Sequence, residues 1–184
     1  MELIYVGKKF ELKEFKNNDF VQGKFEYRDN ITEYTFVKYF CVRKNKKMIS
    51  NAKKIILNEM KEIVLFEYYR RSPDFGYDSV IPSTYISEIS EFPLYYVRKC
   101  IKQLVKEGML VSDVYVEIPA PWDRKYHDYI NKIHRGYCIT IKGNKYIESL
   151  NKTIFVNGNK HVVNKYPLNE TRNLSTEEDE FLGW

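Results

Sequence analysis

The run YYVRKCIKQLVK, Tyr95 to Lys106, spaces Arg98, Lys99, Lys102 and Lys106 at threes and fours, with Tyr95 just before them. On a helix, residues so spaced lie one above another and share a side. Leu94, Val97, Ile101, Leu104 and Val105 repeat at the same intervals and predict the buried side. Glu107 is the one carboxylate in the neighbourhood, so four cations against one leave a local net charge of +3. Such a face suits a polyanion, because each cation that meets a phosphate releases condensed counterions. A basic helix face can equally be a solvated one, so the elements around it decide its meaning.

Other chemistry has less behind it. His127, His134 and His161 do not fall at metal-ligand spacing, and His134 and Cys138 straddle Gly136, so neither a metal nor another cofactor is expected. Cys41, Cys100 and Cys138 are odd in number and far apart, which predicts buried, reduced thiols in a cytoplasmic protein. No nucleophile elbow, phosphate loop or dinucleotide fingerprint occurs. Glu177 and Glu180 lie in an acidic tail where nothing would desolvate them, so an enzyme is not expected. The formal charge over 184 residues is only +5, and its distribution matters more than its sum. No apolar run approaches the roughly 18 residues of a membrane span, and MELIYVGKKF lacks a signal peptide's basic head and apolar stretch.

The elements that must position the basic helix can be read in order. Residues 1–48 form a β-rich segment in which KFEYR alternates, and in ITEYTFVKYFCV the residues Tyr34, Phe36, Phe40 and Val42 share a strand face. RKNKK is a connector. Ser50 is the expected N-cap of a long helix with Ile56, Met60, Ile63 and Val64 on its apolar face and Arg70 and Arg71 at its end. SPDFGYDSVIPS reads as a loop, and Ser83 as the cap of a short helix from Thr84 to Ser90. Pro93 suits the first turn of the basic helix, and Gly108 its left-handed end. MLVSDVYVEI then alternates like a strand, partnered by GYCITI with Tyr137, Ile139 and Ile141 on one face. Between them, residues 119–135 hold an expected small helix capped by Asp123, with Tyr126, Tyr129, Ile130 and Ile133 as its stripe. KGNKYIESL starts a further helix. Residues 151–184 carry a hairpin around Asn157-Gly158 and the acidic tail, which is either a solvated end or a segment whose Phe181, Leu182 and Trp184 dock in an apolar groove.

Two stretches, YISEISEFPLYYVRKCIKQLVKEGML and GYCITIKGNKY, give this order a likeness. The chain resembles the winged helix-turn-helix regulators of bacteria and phages over roughly residues 55 to 150. In that family a recognition helix ends in Leu, a charged residue, Gly and an apolar pair, and the strand after the wing reads Gly-Tyr-x-Ile-Thr-x-x-Gly. The resemblance implies an α+β fold. A winged helix-turn-helix domain would occupy 49–150, with the β-rich segment before it and an enlarged wing at 119–135.

The resemblance also implies sequence-specific binding of double-stranded DNA by a transcriptional regulator acting as a homodimer. Tyr95, Tyr96, Arg98 and Lys99 would reach base edges, while Lys102, Gln103 and Lys106 meet the backbone. Ser83 and Thr84 would hold a phosphate at the short helix, and Arg124, Lys125 and Arg135 would serve the wing. A replication initiator of a phage or plasmid uses the same physics. Another class is a phage-type inhibitor that grips a host protein or ribonucleoprotein through Tyr126, Tyr129, Ile130 and Ile133.

Overall fold

A computed structural model describes residues 1–28, 35–75, 80–116, 122–125, 128–129, 133–150, 152–156 and 159–163. The chain is α+β. Four antiparallel strands come first, β1 (Glu2–Tyr5), β2 (Lys8–Glu14), β3 (Phe20–Arg28) and β4 (Thr35–Arg43), adjacent in chain order. The alternation seen in the sequence sorts their faces: Phe10, Leu12, Val21, Phe25, Tyr27, Phe36, Phe40 and Val42 point to the core. Cys41 falls on the outward face and is exposed, contrary to the expectation of buried thiols. Tyr34 lies outside the described residues.

Helix α1 (Met48–Phe75) runs beneath the sheet. Ser50 sits inside its first turn rather than capping it, since the helix begins two residues earlier. From Ile63 to Arg70 every residue is buried, as befits a helix covered on several sides. The sheet covers one side, and helices α2 (Ser83–Ser90), α3 (Leu94–Lys106) and α4 (Ile141–Ser149) cover others. Arg70 and Arg71 do not end the helix, which continues through 72–75, part of the expected loop. They turn instead to Glu67, at 2.9 Å and 3.8 Å. Glu67 also accepts a 2.8 Å hydrogen bond from Tyr27 of β3, so one buried carboxylate ties sheet to helix. Lys38 of β4 adds an ion pair with Glu59.

After α3, strand β5 (Leu110–Val116) pairs antiparallel with β8 (Ile133–Ile139), from Leu110 opposite Ile139 to Val116 opposite Ile133. Ile81, just before α2, makes a two-way backbone bridge with Tyr137 of β8, both bonds 3.0 Å. The Tyr68 hydroxyl holds the same Ile81 carbonyl at 3.2 Å. Gly136 is required here, because a Cβ would stand 2.5 Å from Val80 Cγ1 and 3.0 Å from the Ile81 backbone. At the other end Thr140 caps α4 by accepting from the Gly143 N–H at 3.1 Å, and its hydroxyl donates to the Gly108 carbonyl at 2.8 Å. Ile141 opens α4 and is 75% exposed instead of continuing the strand face.

The expected helix within 119–135 is corrected. β6 (Trp122–Asp123) pairs with β7 (Asp128–Tyr129), Trp122 opposite Tyr129, and Ile133 already belongs to β8. Asp123 lies within β6 rather than ahead of a helix. Aromatic and β-branched residues at helical spacing are also good strand formers, and cross-strand pairing decides the contest. Tyr126 and Ile130 lie outside the described residues, as do the loop tip at 157–158 and the tail. The strands on either side of that tip, β9 (Lys152–Val156) and β10 (Asn159–Val163), pair as the Asn-Gly signal predicts.

Candidate nucleic-acid interface

The basic helix is held by its two ends and one face. Before it, α2 stops at Glu91, which adopts the left-handed φ of 55°. Ser87 donates to the Phe92 carbonyl at 2.6 Å and Ser90 to the Ile86 carbonyl at 2.5 Å, fixing the turn. Phe92 is buried against Tyr27, ring centroids 5.5 Å apart, and the Pro93 carbonyl accepts from the Tyr96 and Val97 N–H groups. The turn between β1 and β2, Val6-Gly7, has positive φ at both residues, 49° and 76°. It packs so closely that a Cβ on Gly7 would come within 3.0 Å of Pro93. The N-terminal sheet therefore braces the start of α3.

At the far end Gly108, φ 74°, completes the expected left-handed cap. Its N–H reaches the Val105 carbonyl at 3.0 Å, and the Met109 N–H reaches Leu104 at 2.9 Å. Val97, Cys100, Ile101 and Leu104 are buried toward α1. Cys100 joins this face where Val105 was expected, and Val105 is 36% exposed. Burial pushes the Cys100 thiol up to about 12, which keeps it a protonated core group.

The opposite side of α3 carries Tyr95, Arg98, Lys99, Lys102 and Lys106, all exposed, with Gln103 half-buried at its edge. Tyr95 is 71% exposed and rests edge-on against Tyr96, centroids 5.2 Å apart. Tyr96 turns inward to Tyr5 of β1 at 5.4 Å, a bracing position rather than the outward one expected of it. The arginine leans back to α2, its Nε 3.5 Å from the Ser83 hydroxyl. Ser83 is thus the first residue of α2, preceded by Pro82 at the cap position, and half-buried, while Thr84 is exposed beside it.

Glu107 was expected to offset this face, but it faces α1, where Lys61 holds it at 2.6 Å. Lys142 of α4 donates to the Glu107 carbonyl at 2.7 Å, placing a further cation at the C-terminal end of α3. Among the described residues, no carboxylate pairs with Lys99, Lys102 or Lys106. The four cations of the face are consequently offset less than their sequence neighbours suggest. Lys142 was missed because only the fold brings α4 back to α3.

Arg124 and Lys125 are exposed at the turn between β6 and β7, and Arg135 is exposed on β8. Val111 and Val114 of β5 are 50% and 55% exposed, so this stretch of the β5–β8 ribbon is open to solvent. Tyr129 and Ile133 lie on strands β7 and β8 rather than along one helix. Among the described residues, no group of three or more His, Cys, Asp or Glu side chains could hold a metal, and no helix is long and apolar enough to cross a membrane. No protein-family model, curated protein or solved structure matches the chain.

Proposed function

We propose that residues 49–150 are a winged helix-turn-helix domain that binds double-stranded DNA through α3, with the β5–β8 ribbon as its wing. The observation that carries this reading is the exposed side of α3. There Lys99, Lys102 and Lys106 have no ion-pair partner among the described residues, while the other side is packed into the core. The element order supports it: α1, the Ile81 bridge, α2, a tight turn, α3, then a ribbon whose second strand bridges back to Ile81. A helix of this length fits the major groove, with Tyr95, Arg98 and Lys99 toward base edges and Lys102 and Lys106 toward phosphates. Arg124, Lys125 and Arg135 on the ribbon would reach a neighbouring groove or backbone.

The reading extends to sequence-specific recognition by a cytoplasmic regulator or an origin-marking initiator, with two copies meeting two half-sites about one helical turn apart. The inhibitor reading is left without a helical stripe to argue from, since Tyr129 and Ile133 lie on strands β7 and β8. Selection from a pool of randomised duplex DNA across a salt series tests the reading. An enriched motif whose affinity falls steeply as salt rises is the expected outcome. Absence of binding at low salt would overturn it.

A further inference from the structure

A second surface combines exposed rings with cations, and it lies away from α3. β2 changes partner along its length: residues 8–11 pair with β1, and residues 12–14 pair with β3. Its first half thus parts from β3, and a cleft of about 650 Å³ opens on the outward face of the sheet. Five cations and two carboxylates line the cleft, a net of +3, with Tyr39 among them. Tyr39 is 63% exposed, and farther along the same face Phe20 is 47% exposed, opposite Arg43.

We propose that this outward face binds single-stranded nucleic acid, with bases stacked on Tyr39 and Phe20 and phosphates met by Lys13, Lys24, Arg28 and Arg43. A cationic groove with aromatic rings set along it is how proteins hold single strands without reading sequence. A duplex does not suit the surface, because its base faces are already stacked and out of reach of an exposed ring. A free nucleotide does not account for it either. The rings and cations extend along β3, whose nine residues cover roughly 30 Å.

The charge is partly compensated, since Lys24 holds Glu26 at 2.6 Å. That pairing keeps the carboxylate below its usual range and the ammonium above its own. A phosphate must compete with Glu26 for this lysine, so stacking carries more of the binding here than at α3. The inference does not rest on duplex binding by α3, and either could fail alone.

The test is fluorescence anisotropy with the full chain and a labelled oligothymidylate of about 16 nucleotides. Binding should weaken as salt rises, and Tyr39→Ala should weaken it about tenfold or more. Lys13→Glu with Arg43→Glu should weaken it as well, whereas Lys99→Glu with Lys102→Glu should leave it unchanged. Tyr39 is exposed, so matched melting curves are expected for the alanine variant. No binding at low salt would overturn the proposal, as would binding that depends on α3 and ignores Tyr39. Competition by thymidine monophosphate as strong as by the oligomer would assign the cleft to a free nucleotide and overturn it. Self-association of the wild type that Tyr39→Ala abolishes, without oligomer binding, would give the face to a second copy and overturn it too.

Discussion

α3 and the N-terminal sheet each bury one face and leave the other to solvent, but they manage charge differently. On α3 the neighbouring carboxylate Glu107 is drawn away to Lys61, and Lys99, Lys102 and Lys106 have no acidic partner among the described residues. On the sheet, cations are interleaved with acids: Lys24 holds Glu26 at 2.6 Å, and Lys9 lies 3.2 Å from Glu2. The first arrangement concentrates one sign of charge along a ridge. The second moderates the charge and leaves the rings of Tyr39 and Phe20 as the distinctive chemistry. A cationic ridge and an aromatic face within one fold would therefore suit different ligands.

Sheet and helices share one core, and Glu67 is where that union can be broken most severely. Its carboxylate is buried between Tyr27 of β3 and Arg70 of α1. Glu67→Ala should cost about 3–5 kcal/mol, because it leaves a buried guanidinium without this partner. Urea unfolding followed by circular dichroism measures it. A loss confined to a surface-like few tenths would show that the seam is not held this way.

A smaller effect is expected where α4 meets the start of β5. A Cβ on Gly143 would lie 2.4 Å from the Met109 carbonyl oxygen, which is backbone and cannot swing aside. Gly143→Ala should cost about 1–3 kcal/mol, in the range of overpacked cores. It should also loosen the Thr140 bonds that set the ribbon relative to α3. Melting temperature and amide exchange at Met109 and Thr140 check both parts.

Alkaline pH sharpens the comparison with less drama. Burial raises the Cys100 thiol from 9.0 to about 12. Burial and then the neighbouring Glu62 raise the Tyr146 hydroxyl from 10.0 to about 12. In both groups the folded state favours the protonated form. Their contribution is complete below the unfolded values and is lost as pH rises through about 9 to 12. Stability should fall over that window, and Cys100→Ala should flatten the early part of the fall. An aromatic disulfide reagent should meanwhile label the exposed Cys41 readily and Cys100 only on unfolding.

Local rules account for the parts of this fold that were legible in the sequence. Period-2 alternation marked β3 and β4, and Gly108 marked the end of α3. The run from Gly136 to Gly143 was recognisable as a pattern, and its physical basis is now visible. Gly136 admits the Ile81 bridge, Thr140 caps α4, and Gly143 lets α4 meet Met109. What escaped depends on partners distant in sequence. Glu107 looks like a counter-charge to its own helix until the fold brings Lys61 to it. Tyr126, Tyr129, Ile130 and Ile133 fit a helix by spacing, yet the pairing of Asp128–Tyr129 with Trp122–Asp123 overrides that pattern. The cleft in the sheet had no signal at all, since it arises from β2 dividing itself between β1 and β3.

The most direct test of the central claim is the salt dependence of binding to a selected duplex, for the wild type and for Lys102→Glu with Lys106→Glu. If these lysines meet phosphates on the ridge of α3, the variant should lose about tenfold or more in affinity. Its plot of log affinity against log salt should become shallower by roughly two. Wild-type affinity and slope in a variant that melts like the wild type would contradict duplex binding by α3.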